Sequence, residues 1–227
     1  MTSAVVLDIE GTTSSTAHVH DVLFPYARAR LSSWVTDHAD TPLVREVLRE
    51  TSRLVPGDDP VRTLLRWADS DTKAAPLKAL QGAIWQRGFA AGELTSHVYP
   101  DVPPALRSWA ARGLRVFVYS SGSVQAQRAW FGHTPYGDLT PLFRGYFDLT
   151  TAGPKREPRS YQRIAAAIGM PAEGIVFASD EPAELDAARR AGWHAVAVVR
   201  PDEAVRDTGD HPVIKSLIEL EDVEFPS

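Results

Sequence analysis

The sequence contains no cysteine among its 227 residues. Disulfides, thiolate metal sites and cysteine nucleophiles are therefore all excluded as the basis of its fold or function. Basic residues are not in excess either, because 24 Lys and Arg stand against 29 Asp and Glu, for a formal net charge of −5. Since no basic block stands out, we expect no nucleic-acid partner.

Long apolar runs are missing as well. No stretch reaches the roughly 18 consecutive apolar residues that a membrane-spanning helix needs, so we expect no membrane partner. The apolar run at residues 5–7 is too short for the hydrophobic region of a signal peptide. The composition, with 44% hydrophobic and 23% charged residues, is ordinary for a globular domain with a buried core. We therefore expect a cytoplasmic enzyme.

Short β-rich runs alternate with helical stretches over much of the chain. The predicted strands are residues 4–8, 114–121, 146–151, 174–180 and 194–199, and the predicted helices between them are 102–112, 124–131, 160–168 and 182–191. The near-continuous apolar character of the strands is typical of strands covered on both faces. This alternation predicts an α/β fold with a doubly wound parallel sheet.

The interval from residue 15 to 100 breaks this alternation. It holds no convincing strand, and its apolar residues recur at helical spacing in four successive segments. We therefore predict an all-helical domain at residues 15–100, inserted into an α/β catalytic core formed by residues 1–14 and 101–227. Residues 200–212 are predicted to be a polar loop.

Reactive side chains follow the predicted strands, at or just after the point where each strand ends. They are Asp8, Glu10, Ser120, Ser121, Lys155 and Asp180. The carboxyl ends of parallel strands meet at one edge of the sheet, where open α/β sheets bind ligands. Carboxylates gathered there repel one another unless a cation neutralises them. Oxygen donors without thiolates favour Mg²⁺, so the sequence predicts a magnesium site.

The residue types also indicate phosphoryl transfer, in which positioning and charge stabilisation do most of the work. Asp8 has the chemistry to attack phosphorus and form an aspartyl-phosphate. Glu10 is a candidate metal ligand or general acid and base. Ser120 and Ser121, at the start of a predicted helix, offer hydrogen bonds to phosphate oxygens, and Lys155 adds a positive charge.

Each of these residues has a plainer interpretation when it is taken alone. Asp180 would be an ordinary helix cap, and an isolated D-x-E pair would be a turn. Their occurrence in order at successive strand ends favours a shared site. Behind Asp180, we expect Glu184 to support the site without binding metal, and Glu181 and Asp186 to be surface charges of the helix.

These motifs resemble those of the haloacid dehalogenase-like hydrolases. The matching pieces are DIEGT after the first strand, a second strand that ends in serine, a lone lysine and SDEPAELDAARRAG. That superfamily usually has a second aspartate where this chain has Glu10. The chain also resembles one member family, the enolase-phosphatases (acireductone synthases) of methionine salvage, in LDIEGTT, DVLFPYA, LQGAIW, YSSGSVQAQ, LFRGYFD and SYQRIA.

The resemblance implies a two-step reaction on a small phosphorylated diketone. The family enolises 2,3-diketo-5-methylthiopentyl-1-phosphate and then removes the phosphate, giving 1,2-dihydroxy-3-keto-5-methylthiopentene. It also implies a cytoplasmic monomer whose helical insert is a cap. By the same resemblance, the Mg²⁺ ligands would be Asp8, Glu10 and Asp180, and the substrate would be bound by Ser120, Ser121 and Lys155.

Two alternatives remain open. The first is a general Mg²⁺-dependent phosphatase of the same superfamily, although Glu10 in place of an aspartate argues against it. The second is a receiver domain of a signalling system, which also gathers acids, a hydroxyl and a lysine around a phosphorylated aspartate. Receiver domains are shorter, lack a helical insert after the first strand and carry that aspartate on a later strand.

Overall fold

The computed structural model describes residues 2–223. The chain forms two compact units, one made of the residues up to Thr16 together with those from Ser96 onward, and one made of Ala17–Thr95. Each unit has its own buried apolar core. The helices are α1 (Thr16–His18), α2 (Phe24–Asp37), α3 (Pro42–Leu54), α4 (Pro60–Asp69), α5 (Ala75–Ala90), α6 (Val102–Ala111), α7 (Val124–Gly132), α8 (Pro158–Ile168) and α9 (Pro182–Arg190).

The first unit is built on a six-stranded sheet. Its strands are β1 (Ala4–Leu7), β2 (Arg115–Tyr119), β3 (Gly145–Phe147), β4 (Ile175–Ser179), β5 (His194–Val198) and β6 (Val213–Ile214). They lie in the order β3-β2-β1-β4-β5-β6, and every neighbouring pair is parallel. The predicted α/β fold with a parallel sheet is therefore confirmed.

The central strands are covered on both faces. All four residues of β1 are fully buried, so neither face of that strand is open to water. On one face Val6 and Phe177 belong to a core cluster that includes Tyr161 of α8 and Leu185 of α9. The helix α6 packs against β2 and buries Trp109. Burial on both sides explains the near-continuous apolar runs of the sequence.

The second unit consists of helices, with no strand anywhere in Ala17–Thr95, all of which the structure describes. Its core joins α2, α3, α4 and α5 through Leu31, Val47, Leu64 and Ile84. Two of these helices begin at a side-chain cap, because Thr41 accepts a hydrogen bond from the N–H of Val44 and Asp59 accepts one from Arg62. That residues 15–100 act as a cap in the reaction stays a prediction.

Two strands differ from the sequence prediction. β3 ends at Phe147, whereas residues 146–151 were predicted as a strand. The carboxylate of Asp148 accepts hydrogen bonds from the N–H groups of Thr150 and Thr151, and this side-chain turn ends the strand. β6 was not predicted, because its two residues are too few to show any periodicity.

Candidate active site

The candidate site lies where the strand order of the sheet reverses. β1 and β4 are neighbours at that point, and open α/β sheets bind ligands in the crevice beyond the strand ends there. Asp8 directly follows β1, and Asp180 directly follows β4. The N–H of Asp8 donates to the carbonyl of Ala178 at 3.0 Å, which fixes the two strand ends against each other.

Asp8 is held by the turn that follows β1. Its side chain is buried, and Oδ1 accepts the N–H of Ile9 at 2.8 Å. The hydroxyl of Thr13 donates to the carbonyl of Asp8 at 3.0 Å and braces the backbone. Gly11 turns the chain at φ +69°, a conformation that glycine adopts without steric cost. The carboxylate of Asp8 is therefore fixed in position before any ligand binds.

Lys155 connects Asp8 to a second carboxylate. Its Nζ lies 2.6 Å from Oδ1 of Asp8 and 2.6 Å from Oε2 of Glu184, and its side chain is only 8% exposed. The ammonium group also lies over the rings of Tyr119 and Phe177. Burial alone would lower the pKa of Lys155, but the two carboxylates outweigh it, so that the pKa is raised. Lys155 is thus a fixed cation, and we call Asp8, Lys155 and Glu184 the charged cluster.

Glu184 completes the charged cluster from the first turn of α9. It lies four residues after Asp180, which precedes the N-cap residue Glu181 of that helix. The hydroxyl of Ser179 lies 3.2 Å from both Oδ2 of Asp8 and Oε2 of Glu184, and it can donate to either one. Burial, and then the charge of Asp8, raise the pKa of Glu184 to about 7, while Lys155 opposes this rise.

Asp180 is packed against the turn after β1. A Cβ atom placed on Gly11 would lie 2.4 Å from Oδ2 of Asp180, so only glycine leaves room for this carboxylate. The same oxygen lies 3.1 Å from Nη1 of Arg206, which also binds Glu181. Burial, and then the charge of Asp8, raise the pKa of Asp180 to about 6, while Arg206 opposes this rise.

The other three predicted residues lie at strand ends outside the charged cluster. Glu10 is exposed and forms an isolated parallel bridge with Ser14. Ser120 is buried just after β2, where its hydroxyl accepts the N–H of Gly122 at 3.4 Å. Ser121 is exposed. The structure thus brings Asp8 and Lys155 into direct contact and places Asp180 beside them, while the roles of Glu10, Ser120 and Ser121 stay predictions.

The donor chemistry of the site suits a hard cation. Within residues 2–223 no group of three or more acidic or histidine side chains is arranged to share one metal ion. Asp8 and Asp180 nevertheless offer carboxylate oxygens at the same crevice. Burial, and then the charge of Asp8, raise the pKa of Asp180, and a cation would neutralise that charge. The buried hydroxyl of Thr12, in the same turn, has no hydrogen-bond partner among the described residues. These oxygen donors fit Mg²⁺.

Comparison with known proteins identifies the family. A family profile described as "Hydrolase: haloacid dehalogenase-like hydrolase" matches residues 2–192. A protein of Frankia alni named "Enolase-phosphatase E1" is 56% identical over 220 residues, which are 95% of this chain and 93% of that protein. The chain belongs to the enolase-phosphatase family of haloacid dehalogenase-like hydrolases. The resemblance seen in the sequence is thereby confirmed.

Further matches extend over nearly the whole of this enolase-phosphatase family member. A protein of Streptomyces avermitilis, also named "Enolase-phosphatase E1", is 54% identical over 215 residues, covering 92% of this chain and 90% of its own. The crystal structure of the UTR4 protein of Saccharomyces cerevisiae matches with a TM-score of 0.79 at 35% identity, covering 95% of this chain and 98% of that one. No helix among residues 2–223 is long and apolar enough to cross a membrane.

Sequence reasoning missed the contact of Arg206 with Asp180 and understated Glu181. Arg206 lies in the segment predicted as a polar loop, where no periodicity links it to Asp180. Glu181 was expected to be a surface charge, but it is half-buried and shares Arg206 with Asp180. Glu181 directly follows Asp180 in the sequence, and this position beside a strand-end aspartate could have indicated that it belongs to the site. Glu184 was expected to support the site, and its contact with Lys155 gives it that position.

Proposed function

We propose that this chain enolises 2,3-diketo-5-methylthiopentyl-1-phosphate and then hydrolyses its phosphate ester, using Mg²⁺. The observation that supports this most is the identity of 56% and 54%, over nine-tenths of the chain or more, to proteins named "Enolase-phosphatase E1". A general phosphatase and a receiver domain are less favoured, because those relatives carry the enolase-phosphatase name. The position of Asp8 directly after the first strand also disfavours a receiver domain.

In the proposed hydrolysis, a carboxylate oxygen of Asp8 attacks phosphorus. The bond between phosphorus and the substrate oxygen breaks, and the leaving oxygen takes a proton from Glu10. Lys155 compensates the negative charge near Asp8 throughout the step, because both of its contacts are buried ion pairs. A water molecule, deprotonated by Glu10, then hydrolyses the aspartyl-phosphate and frees Asp8.

The remaining predicted residues would bind the ligands. Asp8 and Asp180, with Glu10 as the third predicted ligand, would hold Mg²⁺. When bound, the cation supplies positive charge to the phosphate oxygens. Ser120 and Ser121 would donate hydrogen bonds to the substrate, and the helical unit would act as the cap.

The proposed enolisation needs a base and a group that stabilises the enolate. The proton is taken from a carbon atom next to a carbonyl, and Glu10 or a water molecule is the candidate base. Lys155 is the candidate stabiliser of the developing oxyanion, because it is the buried cation beside Asp8. We retain a cytoplasmic location and a monomeric state as predictions.

The test is to mix the purified protein with the diketone phosphate ester, with and without Mg²⁺. Absorbance of the enediol and free phosphate are followed in the same sample. We expect both signals with Mg²⁺ and neither in excess EDTA. Phosphate release from simple phosphate esters without enolisation of the diketone would instead indicate a general phosphatase. Stable phosphorylation without turnover would indicate a receiver domain.

A further inference from the structure

A cavity lies at the edge strand β3, and none of its lining residues belongs to the charged cluster. Its volume is about 550 Å³, within the range of 300–1,000 Å³ that is usual for small-molecule sites. It is lined by residues of β2, α7, β3 and α8. The residues that give it its chemistry are Arg115, Arg128, Arg144, Phe117, Tyr146 and Phe147.

The three arginines bring concentrated positive charge to this cavity. None of the ion pairs within residues 2–223 includes Arg115, Arg128 or Arg144. Arg115 uses Nη1 to donate to the carbonyl of Ile168 at 3.2 Å, which anchors its side chain at the cavity wall. In a chain with a net charge of −5, this local excess of uncompensated cations attracts anions.

A nearby acid does not line the cavity. This acid is Asp138, whose negative charge interacts with the hydroxyl of Tyr146. Its Oδ1 already accepts the N–H of Thr140 at 2.8 Å and the hydroxyl of Thr140 at 2.6 Å. The guanidiniums of the cavity therefore keep donors for a ligand, and arginine forks are suited to carboxylate and phosphate groups.

Three aromatic side chains also line the cavity, together with four aliphatic residues or glycines. The rings of Phe117 and Phe147 lie 6.1 Å apart, and the guanidinium carbon of Arg128 is 4.9 Å from the ring centre of Tyr146. Tyr146 is 8% exposed, and its hydroxyl is buried without a hydrogen-bond partner among the described residues. A ligand with a flat ring would pack against the parts of these aromatic side chains that line the cavity.

We propose that this cavity binds a small organic anion that carries a carboxylate or phosphate on a flat ring. The arginines select for the anionic group, and the aromatic faces select for the ring. The site is independent of the charged cluster and of the proposed reaction.

The test is isothermal titration calorimetry with 2-naphthoate, a flat aromatic carboxylate, in EDTA so that the metal site stays empty. Naphthalene-2-carboxamide serves as the uncharged ring and acetate as the anion without a ring. We expect 2-naphthoate to bind at least tenfold more tightly than either one. Equal binding of the carboxamide would overturn the role of the arginines, and equal binding of acetate would overturn the role of the rings.

Variants assign the binding to this cavity. Arg128→Gln/Arg144→Gln removes two exposed guanidiniums and should weaken 2-naphthoate binding about tenfold. Adding Arg115→Gln should weaken it further. The matched control is Arg107→Gln, an exposed arginine of α6 that does not line the cavity, and it should bind like the wild type. Unchanged affinity in the double variant, or no detectable binding of 2-naphthoate to the wild type, would overturn the proposal.

Discussion

Replacing Lys155 with methionine tests the charged cluster most severely. The substitution keeps a long apolar side chain but removes the only cation that contacts both Asp8 and Glu184 among the described residues. The side chains of these two acids are 9% and 12% exposed, so water compensates them poorly. Removing one partner of a buried ion pair costs about 3–5 kcal/mol. We expect a loss of about 4 kcal/mol in the free energy of unfolding at pH 8.

The pH dependence and a second substitution make this prediction specific. The pKa of Glu184 is raised to about 7 even beside Lys155, so at pH 5.5 Glu184 takes up a proton and the loss should be smaller. Lys155→Met/Glu184→Gln removes the second charge and should recover at least about 1 kcal/mol at pH 8. Lys78→Met, at an exposed position, should change stability by less than about 0.5 kcal/mol.

The assay is urea unfolding of the metal-free protein in EDTA at pH 8 and at pH 5.5. The slope of the unfolding free energy against urea concentration should be the same for all variants, so that a change in the urea midpoint reports a change in stability. A loss below about 1 kcal/mol for Lys155→Met at pH 8 would refute the reasoning. So would the absence of any recovery in the double variant, because the charge of Glu184 would then play no part.

Three further predictions concern the surroundings of Asp8. Gly11→Ala should abolish activity and weaken Mg²⁺ binding, because its Cβ would lie 2.4 Å from Asp180 Oδ2. Gly113→Ala, with a similar φ of +79° but no atom within 4 Å, should lose only about 1–2 kcal/mol of stability and keep activity. Arg200→Lys should lower kcat about tenfold in steady-state assays, because Nε of the buried Arg200 donates at 2.8 Å to the turn after β1; an unchanged kcat would contradict this. The pKa of Glu184 rises from 4.5 to about 7 on folding, so the folded state binds the proton of this carboxyl group more tightly. The stability of the metal-free protein should therefore fall as the pH increases from 4.5 to about 7. Glu184→Gln should flatten this fall in urea titrations from pH 5 to pH 7.5, and an unaltered slope would contradict the assignment.

The sequence predicts the strand-end residues of the site because their positions follow from topology alone. Once the apolar runs are recognised as parallel strands, Asp8 and Asp180 must lie at the same edge of the sheet. Local spacing likewise places Glu184 in the first turn of the helix that follows Asp180. Such residues are predictable because a period of two or of 3.6 residues fixes the direction of a side chain.

The contacts that depend on loops were not predictable in this way. Arg206 and Arg200 reach the site from the segment after β5. Arg206 contacts Asp180 across 26 residues of chain, Arg200 contacts Thr12 across 188 residues, and no local pattern encodes such contacts. Arg200 holds both oxygens of Asp101 at 3.0 Å as well as the turn after β1. The early end of β3 depends on one carboxylate, that of Asp148, which takes up the N–H groups of the following turn.

The central claim is that Asp8 is the nucleophile for phosphorus, and Asp8→Asn tests it directly. Asparagine keeps the shape of the side chain but removes the anion that attacks. With saturating Mg²⁺ and the diketone phosphate, we predict that phosphate release falls at least ~10³-fold. Enolisation needs no phosphorus nucleophile, so the phosphorylated enol should accumulate and its ultraviolet absorbance should rise before any phosphate appears. Release of phosphate at one-tenth of the wild-type rate or faster would contradict the claim.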